Sequence, residues 1–161
     1  MKTLLDGYYR LLKFAITALM ILLLVPVTLQ ILSRYTGLIP RYIWTEEIAR
    51  FCFVWIIMIG ATIAVRDDTH FLVDLLPDPA TPRGRALLRI VKRLLMTAVA
   101  VLFVVYGYDF AAFGALQSSE ISGLPMLAIY IAWPAAGVSW LLFLGEKLIE
   151  DFRILRTGAS A

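Results

Sequence analysis

The sequence predicts an all-α integral membrane protein with four transmembrane helices and both termini on the cytoplasmic side. The first observation is composition: of 161 residues, 61% are hydrophobic and 17% charged, with a mean hydropathy of +0.83. A soluble domain carries about 25% charged residues to cover its outside, so much of this surface faces lipid. The second is a set of four long runs without Asp, Glu, Lys or Arg, and the third is the placement of basic residues between them.

The runs are Phe14–Ser33 (20 residues), Phe51–Val65 (15), Leu94–Tyr108 (15, resuming after Asp109 up to Ser119) and Ile121–Gly145 (25). An ionised side chain at the bilayer centre costs about 2.5–3.5 kcal/mol on insertion scales, which is why such runs mark spans. At about 1.5 Å per residue the first crosses the ~30 Å hydrocarbon layer unaided. The second is short, but Arg50 and Arg66 flank it and can snorkel outward. The spans are placed at about 14–33, 46–66, 92–115 and 124–146, with a cytoplasmic loop over 67–91, in one membrane domain over 1–161. Lys2, Arg10 and Lys13 precede the first run as in a signal peptide, but Thr28–Tyr35 offers no small-x-small cleavage site, so this run is expected to stay as a helix.

Three Lys or Arg precede the first span, three lie in 34–50, six in 66–93, none in 109–120 and three in 146–161. Putting both termini and the 66–93 loop in the cytoplasm places twelve positive charges inside and three outside, as the positive-inside rule requires. Basic residues spread between apolar runs do not make the continuous stripe that tracks phosphates, which argues against a nucleic-acid partner. The lone Cys52 permits no internal disulfide and no CxxC site. The lone His70 excludes a bis-histidine haem site within one chain, and no cofactor is expected.

Pro77, Pro79 and Pro82 interrupt any continuous helix from the second span to the third, and Thr81-Pro82 suits an N-cap followed by a first helical position. Arg85, Arg89, Lys92 and Arg93 then fall close to one face, where anionic lipid headgroups are the plain partner. The series Gly107/Ala111/Ala115 and Ala128/Ala132/Ala136 allow close helix approach, within this bundle or against another subunit. Pro134 is expected to kink the fourth span and Pro125 to sit in its first turn.

Candidate sites lie at the rims. Asp109 is the one ionisable residue within a long apolar stretch, either an interfacial carboxylate or a buried functional one. Trp44, Thr45, Glu46, Glu47 and Arg50 crowd the start of the second span. Acids in a first helical turn complement the macrodipole, and Glu46 and Arg50 stand at i,i+4, yet the same group makes a docking contact for another membrane subunit. At the other end stand Arg66, Asp67, Asp68, His70 and Asp74, with too few nitrogen or sulfur ligands for zinc and no adjacent nucleophile.

Arg34-Tyr35, Trp44-Thr45-Glu46-Glu47-Ile48-Ala49-Arg50, Phe53-Val54-Trp55, Gly60-Ala61, Arg66, His70 and Val73-Asp74-Leu75 together resemble the small membrane subunit of tripartite ATP-independent periplasmic (TRAP) transporters, the DctQ type. Leu124-Pro125, Tyr130 and Trp133-Pro134 fit its fourth helix, less specifically. The resemblance implies a non-enzymatic scaffold in the bacterial inner membrane. Its partners would be a large DctM-type membrane subunit that carries the substrate and sodium sites, and a periplasmic solute-binding protein that delivers organic acids. It implies a partner-subunit interface at Arg34, Trp44, Glu46, Glu47, Arg50, Trp55, Gly60, Arg66, His70 and Asp74, and a docking rim for the binding protein at Arg41, Asp109 and Glu120. The reading from another class is a self-sufficient homo-oligomeric exporter with Asp109 as its proton or cation site.

The orientation yields a direct expectation: a cysteine introduced near Ser119 reacts with a membrane-impermeant thiol reagent added from the periplasm, and one near Pro79 does not. The opposite labelling overturns the topology.

Overall fold

A computed structural model describes residues 2–36, 40, 42–67, 82–120 and 123–157. Five helices account for nearly all of them: α1 (Lys2–Thr36), α2 (Trp44–Arg66), α3 (Pro82–Ala115), α4 (Leu127–Tyr130) and α5 (Ala132–Thr157). Among the described residues the one β feature is an isolated bridge between Ser118 and Pro125. Three segments are long and apolar enough to cross a membrane: Leu4–Thr36, Trp44–Arg66 and Leu127–Ile149.

Helices α1 and α2 pack together, α2 packs on α5, and α5 packs on α3. One end of the bundle therefore holds the starts of α1 and α3 with the finishes of α2 and α5, and we call it the terminal end. The loop end holds the finish of α1, the start of α2, the 116–126 turn and α4. At about 1.5 Å per residue α1 and α3 are each some 50 Å long, well beyond a ~30 Å hydrocarbon layer. Helix α3 starts at Pro82, as the Thr81-Pro82 pair predicts, so residues 82–91 are helical within the segment expected as loop.

The core forms where α2, α3 and α5 meet: Met58, Ile59, Val65, Met96, Ala100, Ala136, Phe143 and Leu144 are buried there, with Leu12 of α1 closing one side. The small residues serve packing inside this chain. A Cβ at Gly107 would lie 2.9 Å from the Pro134 nitrogen, and one at Gly137 would lie 2.9 Å from the Ala100 carbonyl oxygen. Ala111, Ala132 and Ala136 are likewise buried, whereas Ala115 is exposed. The outside is apolar instead: Phe14 (73% exposed), Ile21, Leu24, Leu95, Leu102 and Tyr106 all point away from the core. In water such a surface would forfeit about 25 cal/mol per Å² of apolar area; in lipid it forfeits nothing.

The last apolar run is interrupted near Pro134, as expected, within the candidate span Leu127–Ile149. It divides into α4 and α5 at Ile131, and Pro134 sits in the first turn of α5. Proline has no N–H for the Tyr130 carbonyl and its ring crowds that oxygen, so the ladder stops one turn earlier and restarts where a proline is tolerated. Pro125 precedes α4 rather than opening it: it bridges to Ser118, and its carbonyl accepts the Ala128 N–H at 3.0 Å.

The terminal end is clamped by charge. The Arg93 guanidinium pairs with the buried Asp151 carboxylate and also donates to the Lys147 carbonyl at 2.7 Å. Lys147 Nζ in turn donates to the Val65 carbonyl at 3.2 Å, capping the finish of α2. Arg66 pairs with Asp6, lies 3.9 Å from Glu146, and stacks 5.0 Å from the ring centroids of both Tyr9 and Phe143. The Tyr9 hydroxyl donates to both carboxylate oxygens of Asp67, at 2.6 and 2.7 Å. Four long helices are thus joined at one end.

Arg93→Ala strands a carboxylate that is only 5% exposed and should destabilise the folded chain by about 3–5 kcal/mol. Asp6→Ala removes a partner that is 54% exposed and should cost about 0–1 kcal/mol. Unfolding in mild detergent checks both, and equal losses would refute this ranking.

Candidate functional site at the loop end

Helix α2 opens with Trp44 and carries Glu46 and Glu47 in its first turn, where the N-terminal dipole favours carboxylates. Its leading residue Ile43 supplies no side-chain cap, and the entry is tightened by backbone bonds instead: Thr45 N–H to the Tyr42 carbonyl and Glu46 N–H to the Ile43 carbonyl, both 3.2 Å. The buried Thr45 hydroxyl donates to the Tyr42 carbonyl at 2.6 Å and accepts Gln30 Nε2 from α1 at 3.2 Å. That pair fixes α1 against the start of α2.

The two acids differ in surroundings. Glu46 is exposed, as is Arg50. Glu47 is half-buried, and its Oε1 accepts a hydrogen bond from the Ser119 hydroxyl. Ser119 lies in a tight return between α3 and α4: its N–H donates to the Leu124 carbonyl at 2.9 Å, and its carbonyl accepts Gly123 N–H at 3.0 Å. Gly123 makes that return possible with φ +69°, a left-handed conformation favoured by a residue without Cβ. Below it, the ring of Tyr130 stacks on Phe110 at 4.0 Å, over the side of Gly114. The first turn of α2 and the α3–α4 return are thereby one polar surface.

A cavity of about 400 Å³ opens beside this surface, between the finish of α1 and the entry to α2. Among its described lining residues are Gln30, Ser33, Arg34, Tyr42, Thr45 and Glu46. Tyr42 among them is exposed, as are Tyr35 and Trp44 next in the chain to Arg34 and Thr45.

The expected site residues separate into groups. Arg34, Trp44, Glu46, Glu47 and Arg50 gather at the loop end. Trp55 lies deeper on α2, where its indole N–H donates to the Ala128 carbonyl at 3.0 Å, and Gly60 faces Ile16 of α1, so both serve packing within the chain. Arg66 belongs to the clamp at the opposite end. Asp109 is exposed on α3, and Glu120 is exposed in the return. Arg41, His70 and Asp74 lie outside the described residues. Sequence spacing did not foretell the part played by Ser119, 72 positions from Glu47, or by Ser33. A polar residue in an apolar run is the one signal that could have found Ser33. No group of three or more His, Cys, Asp and Glu side chains able to hold a metal occurs among the described residues. Hydroxyls, an amide and carboxylates at a rim suit binding and docking.

Comparison with known proteins fits this arrangement. Residues 23–154 match the family model of the DctQ component of tripartite ATP-independent periplasmic transporters. The chain is 29% identical over 144 residues to a Haemophilus influenzae protein named as a TRAP transporter small permease, covering 89% of this chain and 87% of that one. It is also similar to part of two longer proteins. One is the sialic acid TRAP transporter permease SiaT of Haemophilus influenzae, 31% identical over 109 residues, with 62% of this chain and 18% of that protein covered. The other is the isethionate TRAP transporter permease DctMQ of Oleidesulfovibrio alaskensis, 26% identical over 130 residues, with 78% of this chain and 20% of that protein covered. With the family model matching most of its length, this membrane protein belongs to the DctQ family of TRAP transporter small permease components.

Proposed function

We propose that this chain is the scaffold half of a two-part membrane permease. It pairs with a large DctM-type subunit that takes up organic acids with sodium, supplied by a periplasmic solute-binding protein. The inner bacterial membrane holds it in a multi-pass arrangement with both termini in the cytoplasm, and α3 makes the fourth crossing through its run Leu94–Tyr108. Support comes from the two longer relatives, in which sequence similar to this chain is about a fifth of the polypeptide. What the longer proteins carry beyond it is the counterpart this chain requires from a separate subunit.

The observation that carries this reading is the distribution of charge. Ionisable side chains gather in the clamp at one end and at the α2 entry at the other, and next to the clamp the helices are joined by neutral groups: Thr62 with Trp140 and Tyr8 with Ser139. A complete carrier needs polar sites near the midplane of the bilayer. Asp109, the one acid within an apolar stretch, is exposed on α3 and is not enclosed by the helices of this chain.

In this mechanism the small subunit broadens and fixes the stationary part of the large subunit while a transport domain moves. The interface centres on Trp44, Glu47 and Arg50, with Arg34 and Glu46 at its edge. Trp55, Gly60 and Arg66 support it through the fold of this chain, and His70 and Asp74 belong to the same proposed interface. Arg41, Asp109 and Glu120 form the rim that steers the binding protein, with a greater effect on association rate than on affinity.

Glu47→Ala and Arg50→Ala should lower co-purification of the large subunit more than Leu24→Ala, which removes a lipid-facing side chain. Undiminished recovery in both would remove these residues from the interface. Asp109→Asn should at most slow capture of the binding protein and should not abolish uptake by the complete transporter. Loss of transport in that variant, together with flux through this chain reconstituted alone, would defeat the scaffold reading.

A further inference from the structure

We propose that the cavity between the finish of α1 and the entry to α2 is a binding site for a zwitterionic phospholipid headgroup with a primary ammonium. The site borders the proposed subunit contact at Glu47 and Arg50, sharing Arg34 and Glu46 with its edge, and rests on the chain being membrane-embedded.

The first observation is Ser33. It is 9% exposed, lines the cavity, and its hydroxyl makes no hydrogen bond among the described residues. Serine and threonine inside an apolar helix usually satisfy the hydroxyl on the carbonyl four residues earlier. Thr17, Thr36, Thr62, Thr97 and Ser139 of this chain all do so. Ser33 departs from them, and a buried hydroxyl without a partner costs about 1–3 kcal/mol unless a bound group accepts from it.

The second observation is charge. Arg34 comes to the cavity from α1 and Glu46 from α2, and neither forms an ion pair among the described residues. A cation and an anion on separate walls match a ligand with both charges. An anionic headgroup would meet Glu46, and a choline headgroup has no N–H to donate to it. An ethanolamine headgroup offers its phosphate to Arg34 and Ser33 and its ammonium to Glu46.

Position selects lipid over a dissolved zwitterion. Tyr42 lines the cavity, and the exposed Tyr35 and Trp44 directly follow and precede the lining residues Arg34 and Thr45 in the chain, the aromatic composition of a headgroup belt. Ile31, Leu32, Leu24 and Val25 continue down α1 as exposed apolar surface, which acyl chains would cover.

The test is native mass spectrometry of the full chain in detergent, supplied in turn with phosphatidylethanolamine, phosphatidylcholine and phosphatidylglycerol. One phosphatidylethanolamine should be retained about tenfold better than either other lipid, as one charge-assisted contact provides. Glu46→Gln should lower its retention to the phosphatidylcholine level, and Arg34→Gln should weaken both lipids. Ser33→Ala, which leaves no group in need of a partner, should reduce retention without lowering thermal stability. Equal retention of the three lipids, a preference for phosphatidylglycerol, or binding of soluble phosphoethanolamine as tight as that of the lipid would each overturn the proposal. Co-purification of the large subunit reports separately on the scaffold reading.

Discussion

The constraint behind this structure is the lack of hydrogen-bonding solvent around the middle of the bundle. Each polar group there must find its partner within the chain. The Trp140 indole N–H does so on Thr62 at 3.0 Å, while the Thr62 hydroxyl donates to the Met58 carbonyl at 2.8 Å. Tyr8 and Ser139 share a 2.7 Å bond, with the serine hydroxyl also within 2.7 Å of the Ala135 carbonyl. The Trp140–Thr62 and Tyr8–Ser139 bonds each join two helices, while the bonds of Thr62 and Ser139 to carbonyls stay within one. Lipid supplies no strong hydrophobic drive between helices, so close packing and these bonds must hold them together. That is why Gly107 and Gly137 stand where α3 and α5 meet.

Much of the fold was legible from charge-free runs, because the cost of burying charge in lipid makes their limits sharp. The start of α3 at Pro82 was legible too, since proline is favoured at a first helical position. The break at Ile131 was not. Pro134 promised a disturbance, but where the disturbance falls depends on Gly107 of another helix receiving the proline ring. Arg93 was read with the neighbouring basic residues as a lipid-facing group, and in the fold it serves Asp151, 58 positions away. Sequence spacing reports neighbours on one helix and is silent about partners on two.

The candidate site shows the same division. Acids in the first turn of α2 and the surrounding aromatic residues were visible as a local pattern. The bond from Ser119 to Glu47 was not, because it needs the left-handed turn at Gly123 to carry the return across the bundle. Arg66, Trp55 and Gly60 belong to the stretch that carries the family resemblance, yet here their contacts lie within the chain. Residues that mark a family can do so by building its fold, and contact geometry separates that role from one at a partner surface.

The two ends of the bundle are built from interactions of different strength, and this bears on how a scaffold would work. The terminal end is joined by ion pairs, cation–π contacts and a lysine-capped helix finish, linking α1, α2, α3 and α5. The loop end is joined by one charge-assisted bond, from Ser119 to the Glu47 carboxylate, and by the neutral Gln30–Thr45 bond, with a cavity beside them and no ion pair among the described residues there. Charge-assisted hydrogen bonds are roughly twice as strong as neutral ones. Helices fixed at one end and more lightly tied at the other can adjust their spacing at the loop end without disturbing the core. For the proposed scaffold beside a moving domain that combination is suitable, with the more lightly tied end being the one that carries Trp44 and Arg50.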